Sequence, residues 1–177
     1  MTQTFVIPQP VILMGVSGSG KTTVGEALAR RLHLPFIEAD ALHPKTNVDK
    51  MAAGIPLTDA DRWPWLDVVG AKLEHVRLEG EGVIATCSAL KRAYRDRLRA
   101  NVEGPIQFVL LDSPRHVLAA RMASRRGHFM PASLLDSQLA TLERPLPGEG
   151  VMVLDGTRPI AELVETIADA ICSGARR

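Results

Sequence analysis

At 177 residues, 46% hydrophobic and 23% charged, the chain has the size and composition of one globular domain able to bury a substantial core. A net charge of +1 gives no electrostatic case for nucleic acid or an acidic membrane as the main partner. Cys87 and Cys172 form neither a metal spacing nor a disulfide framework, the opening ten residues lack the regions of a secretion signal, and no apolar run is of membrane-spanning length, so a soluble cytoplasmic protein is expected.

Apolar, β-prone runs alternate with helical patterns along the chain. Strands are predicted at Val11–Val16, Pro35–Ala39, Gly82–Cys87, Ile106–Asp112 and Val151–Asp155. Helices are predicted at Lys21–Leu32, Pro44–Ala53, Asp59–Leu78, Leu90–Ala100, Pro114–Arg125, Ala132–Leu142 and Ile160–Ala170. This alternation predicts an α/β fold, a parallel sheet with helices on both faces, as a single domain over residues 1–177. Ligands of such sheets bind outside the carboxyl ends of the strands, so the chemistry is sought there.

The first strand runs into Gly15-Val16-Ser17-Gly18-Ser19-Gly20-Lys21-Thr22-Thr23, which fits the phosphate-loop pattern G-x-x-x-x-G-K-[ST]. Gly15, Gly18 and Gly20 let the backbone turn tightly, so that N–H groups, those of Ser17 and Ser19 included, converge on phosphate oxygens. Lys21 supplies an ammonium for the β- and γ-phosphates, the Thr22 hydroxyl can ligate Mg²⁺, and the helix opened by Lys21, Thr22 and Thr23 aims its dipole at the anion. This is a nucleotide-phosphate site.

The second strand ends at Glu38-Ala39-Asp40, followed by His43 and Pro44. A carboxylate at Asp40 can accept the proton of an attacking hydroxyl or hold water on Mg²⁺; as an alternative it caps the next helix. Asp59-Ala60-Asp61-Arg62-Trp63-Pro64-Trp65 opens a helix with acidic residues, leaving Arg62 to clamp a carboxylate or to lie in solvent, with the tryptophans expected to pack. Ser88, Lys91, Arg92 and Arg95 form either a cationic wall for an anionic substrate or a solvated face. Arg121, Arg125 and Arg126 adjoin a basic, Gly/Pro-punctuated stretch, Ser124–Pro131, that reads as a closing flap. His43 and His128 are candidate polar contacts, whereas His33, His75 and His116 read as surface residues.

Together these blocks resemble gluconokinase, in the shikimate-kinase-like branch of the phosphate-loop kinases. G-V-S-G-S-G-K-T-T, E-A-D-A-L-H-P-K-T-N-V-D-K-M and L-T-D-A-D-R-W-P-W-L carry the likeness, joined by C-S-A-L-K-R-A-Y-R-D-R-L-R, R-G-H-F-M-P-A-S-L-L-D-S-Q and T-L-E-R-P-L. They span about Val11 to Leu146, and the D-x-L-H-P and D-R-W-P-W-L blocks are far more specific than the loop. Arg144, between Glu143 and Pro145, departs from the E-P that relatives commonly carry.

The resemblance implies ATP-dependent phosphorylation of D-gluconate at its 6-hydroxyl, giving 6-phosphogluconate and ADP, with Mg²⁺ as cofactor. It implies a three-layer αβα fold with a five-stranded parallel sheet in order 2-3-1-4-5, a lid at about residues 124–145, and a homodimer. Lys21, Asp40 and Arg125 would be catalytic, and Arg121 would join the loop in holding nucleotide. Asp40, His43, Lys50, Arg62, Lys91 and His128 would form the gluconate pocket, with Thr22 and Asp40 toward the metal. Two other readings stay open: a kinase of the same fold with another hydroxylated acid or a nucleotide as acceptor, and a non-catalytic nucleotide switch.

Overall fold

The computed structural model describes residues 9–124 and 132–174. Apart from Ser124, the expected flap lies outside the described residues, and so do Arg125, Arg126 and His128.

Five strands form one parallel sheet in the order β2-β3-β1-β4-β5, the order the resemblance implies. They are β1 (Val11–Met14), β2 (Phe36–Glu38), β3 (Ile84–Thr86), β4 (Gln107–Asp112) and β5 (Val151–Asp155). The helices are α1 (Lys21–Leu32), α2 (Lys45–Ala52), α3 (Asp59–Leu78), α4 (Arg92–Ala100), α5 (Arg115–Ser124), α6 (Ala132–Thr141) and α7 (Ile160–Gly174). A short 3₁₀ turn, Ala39–Leu42, follows β2 where the sequence reading had only a connection.

Successive side chains of a strand point to opposite faces, and β1 shows what that does here. Val11 and Leu13 join Leu28 of α1 and Leu163 and Ile167 of α7 in one core layer. Ile12 and Met14 join Trp65, Leu66 and Leu73 of α3 and Tyr94 and Leu98 of α4 in the other. All four β1 residues are fully buried, which is why the run is uniformly apolar rather than alternating. A smaller third cluster, Val16, Leu90, Leu118 and Leu135, packs α5 and α6 beside the phosphate loop.

Local chemistry sets the element ends. Thr58 caps α3 through a reciprocal pair: its hydroxyl accepts Asp61 N–H at 3.2 Å, while Asp61 Oδ2 accepts Thr58 N–H at 2.9 Å. Pro64 is the sixth residue of α3, past the first turn, so it removes the bond an N–H there would make to the Ala60 carbonyl, yet the helix runs through it. At α4 the expected start, Leu90, is two residues early. Ala89 sits at φ 42° and Lys91 is extended, so helical geometry begins only at Arg92.

Candidate active site

The loop after β1 is built for close approach. Gly15 and Gly18 lie at φ 135° and 80°, and a Cβ on either would come within 3.0 Å of a backbone oxygen, of Leu111 and Leu118 respectively. Gly20 sits in the left-handed region at φ 95°, immediately before α1. No acidic residue occupies the first turn of α1 and no side chain caps it, so its N–H groups and dipole face the loop. Gly15 N–H donates to Ser88 O at 3.2 Å, tying the loop to the end of β3. Lys21 Nζ donates to Val16 O at 3.0 Å, which folds the ammonium back over the loop.

One cleft lies beside this loop. Ser17 and Lys21 form one wall, Asp40, His43 and Arg62 another, and Ser88 and the α6 residues Leu134, Ser137, Gln138 and Thr141 close it. Asp40 is on the 3₁₀ turn, exposed, and its carboxylate makes no hydrogen bond or ion pair among the described residues. The capping alternative therefore fails: α2 begins after an extended Pro44 with no side-chain cap.

His43 stacks on Trp65 with ring centroids 4.0 Å apart and planes at 17°. Trp65 is itself fully buried and donates Nε1–H to Ala39 O at 2.8 Å, so the stack is fixed to the turn carrying Asp40. Burial pushes the imidazole down to about 4, with the Arg62 charge adding to the effect and Asp40 opposing it. Asn47 Nδ2 lies 3.2 Å from His43 Nδ1 and also donates to Asp61 O at 2.9 Å. That assigns Nδ1 as acceptor and places the proton of the neutral ring on Nε2.

Arg62 holds its guanidinium 5.6 Å from the Tyr94 ring centroid, and its buried Nε has no hydrogen-bond partner among the described residues. A half-buried cation lining the cleft, with one N–H still unpartnered, favours an anionic ligand group. Burial and the hydrogen bond to Asp59 push the Tyr94 phenol up, so it remains a neutral surface for Arg62. Burial likewise pushes the Cys87 thiol up to about 12, with Asp40 adding to it, and no thiolate chemistry follows.

The other expected cations are engaged elsewhere. Lys91 Nζ bonds both oxygens of Asp59, at 2.8 and 2.9 Å, and Lys50 Nζ bonds Asp61 Oδ1 at 2.7 Å; neither lines the cleft. Arg95 overturns the wall of cations outright. It is fully buried, pairs with Glu149 through Nε and Nη2, and donates to the carbonyls of Ala89, Leu90 and Glu143. Its task is to pin the segment after α6 against the loop after β3. Arg121 Nη2 donates to Gly156 O at 2.9 Å, linking α5 to the turn after β5. Arg144 pairs with Asp112 across the ends of β4 and the 143–150 segment.

Glu38 was not singled out from the sequence. It ends β2 in register with Thr86 of β3, accepts the Thr86 hydroxyl on Oε1, and accepts the Thr22 hydroxyl on Oε2 at 2.7 Å. Thr22 and Glu38 thus bring a hydroxyl and a carboxylate together at the mouth of the loop. Among the described residues no cluster of three or more His, Cys, Asp or Glu forms a metal cage. That donor set suits Mg²⁺, which is held mainly through water and phosphate oxygens with one or two protein groups.

A phosphate loop at the carboxyl edge of a 2-3-1-4-5 parallel sheet, facing a cleft with an unengaged carboxylate, defines a phosphate-loop kinase, and the fold implies ATP as phosphoryl donor. The profile of the family described as an AAA domain matches residues 11–145. The chain is 52% identical to the gluconokinase of Gluconobacter oxydans (strain 621H) over 157 residues, 89% of this chain and 88% of that one. It is 44% identical to the thermosensitive gluconokinase of Escherichia coli (strain K12), over 90% of this chain and 86% of that one. The crystal structure of a gluconokinase from Sinorhizobium meliloti 1021 superposes with a TM-score of 0.86 at 48% identity, covering 97% and 95% of the two chains. The chain belongs to the gluconokinase family.

Proposed function

We propose that the chain transfers the γ-phosphoryl group of ATP to the 6-hydroxyl of D-gluconate, giving 6-phosphogluconate and ADP. One observation carries the acceptor half: an unengaged carboxylate, Asp40, shares a cleft with the loop lysine Lys21 and with Arg62, whose buried Nε lacks a partner. Gluconate offers a hydroxyl at one end and a carboxylate at the other, and these two protein groups match its two ends.

In this reading Lys21 and the loop amides other than those of Ser17 and Ser19, which the structure bonds to Gln138 and Val16 instead of leaving them for phosphate, cradle the phosphates, with Arg121 on the nucleotide side. Asp40 accepts a hydrogen bond from the 6-hydroxyl, orients its lone pair at the phosphorus, and takes the proton as the bond forms. Arg62 holds the gluconate carboxylate, and the Nε2–H of His43 donates to an oxygen of the polyol. Thr22, Glu38 and Asp40 would hold Mg²⁺, directly or through water; when bound, the ion neutralises charge on the phosphate oxygens. Lys50 and Lys91 position Asp61 and Asp59 at the start of α3, and so serve the pocket at one remove. Arg125, on the lid at about residues 124–145, would neutralise charge on the transferring group, and His128 would join the gluconate pocket. The enzyme is proposed to act as a homodimer in the cytoplasm. Among the described residues no helix is long and apolar enough to cross a membrane.

A screen of hydroxylated acids, neutral sugars and nucleoside monophosphates at fixed MgATP tests the proposal. D-gluconate should give the highest kcat/KM. A preference for another acid would establish the same-fold alternative, and slow hydrolysis unaffected by any acceptor would establish the nucleotide switch.

A further inference from the structure

Leu134, Ser137, Gln138 and Thr141 stand at i, i+3, i+4 and i+7 of α6, one face of a helix, and that face lines the cleft. Gln138 is the member whose orientation is fixed. Its Oε1 accepts the backbone N–H of Ser17 at 2.7 Å, a bond between residues 121 positions apart. A backbone N–H can only donate, so the amide oxygen must face the loop and the side-chain NH₂ must point elsewhere. Among the described residues no hydrogen bond holds that NH₂. Thr141 presents the complementary chemistry: its hydroxyl donates to Ser137 O at 2.8 Å, so only lone pairs remain for a ligand.

We propose that Gln138 is an acceptor-binding residue, its carbonyl anchored on Ser17 N–H and its NH₂ donating to an oxygen of the polyhydroxylated acid. The proposal rests on the cleft being the acceptor site. Ser17 belongs to the loop that holds the phosphates, so an acceptor bonded to Gln138 is referred to the same rigid segment as the phosphoryl donor. Distance and angle between the reacting atoms are then set through one hydrogen bond rather than through the whole sheet, which is how positioning lowers a barrier in phosphoryl transfer. A neutral donor is also the group that can bind a polyol oxygen beside Asp40 without drawing that carboxylate into an ion pair.

Two variants of the full chain test this, Gln138→Leu and Gln138→Glu, with acceptor kinetics at saturating MgATP, ADP binding by calorimetry, and melting temperature. Gln138→Leu should raise the gluconate KM and lower kcat/KM by about tenfold or more, while ADP affinity stays within about threefold of the parent. Gln138→Glu keeps an oxygen for Ser17 N–H but replaces the donor with an anion, so its kcat/KM should fall further than that of Gln138→Leu. Parental kinetics in Gln138→Leu would overturn the proposal. So would parental kinetics in Gln138→Glu, which would leave only the loop bond, or a loss of ADP affinity that matches the acceptor effect. If the parent itself does not phosphorylate gluconate, the functional reading is what fails. The variant-to-parent ratio is then read on the hydroxylated acid the parent does accept, and it decides the role of Gln138 by the same criteria.

Discussion

Glu38 and Thr22 are joined by a 2.7 Å hydrogen bond, with the Thr22 hydroxyl donating to Oε2. The bond brings a carboxylate from the end of β2 to the hydroxyl at the start of α1, and Thr86 steadies its other oxygen. In the proposed site this hydroxyl faces Mg²⁺, so removing the charge beside it should weaken the metal.

Glu38→Gln should therefore raise the Mg²⁺ concentration needed for half-maximal turnover by about tenfold, the scale typical of partners that orient metal ligands. The gluconate KM at saturating Mg²⁺ should stay near that of the parent. A titration of rate against Mg²⁺ checks this, and an unchanged midpoint would remove Glu38 from the metal site.

Arg62 predicts discrimination between acids and neutral sugars. Glucose would cover its guanidinium without pairing it, so the parent should prefer gluconate over glucose by about a hundredfold or more in kcat/KM. Arg62→Ala should lose most of that preference by losing gluconate activity, with glucose little affected. Equal preference in the parent would show that Arg62 does not read the carboxylate.

How much of this was legible in the sequence depends on how local each signal is. The loop, α1, α3 and β5 could be bounded from residues close in sequence, because glycine spacing, capping chemistry and apolar periodicity act over a few positions. The strand order came from the resemblance, since nothing local specifies which strands pair. Glu38 and Gln138 were missed for the same reason. Their meaning lies in bonds to Thr86 and Ser17, at 48 and 121 positions' separation. Arg95 shows the converse. Four residues from Lys91 on a basic helix, it looks like a solvated or substrate-facing charge, yet its partner Glu149 lies 54 positions away and buries it.

His43 predicts a pH dependence of stability. Its pKa falls from the ordinary 6.5 to about 4 on folding, so between those values the unfolded chain binds the proton and the folded one does not. Its contribution to stability is therefore full above about pH 6.5 and is lost as pH falls toward 4. Asp61, held down to about 2 by Lys50 and Thr58, gives up its contribution only at lower pH, from just above its ordinary 3.8 down to about 2. Melting temperature followed from pH 7 to 5 should decline more steeply in the parent than in His43→Gln. Parallel curves would mean that His43 takes up its proton over the same pH range in the folded and the unfolded chain.

In the proposed transfer Asp40 acts on the acceptor hydroxyl, and Asp40→Asn isolates that role. Asn can still accept a hydrogen bond but cannot readily take a proton, and the exposed carboxylate makes no hydrogen bond or ion pair among the described residues. Single-turnover and steady-state rates should fall by at least about a hundredfold, the lower end of what a general base contributes. ADP affinity and melting temperature should remain near those of the parent. A variant that melts earlier while keeping its turnover per folded molecule would contradict the account, making Asp40 a structural residue and leaving the proton acceptor to be found elsewhere in the cleft.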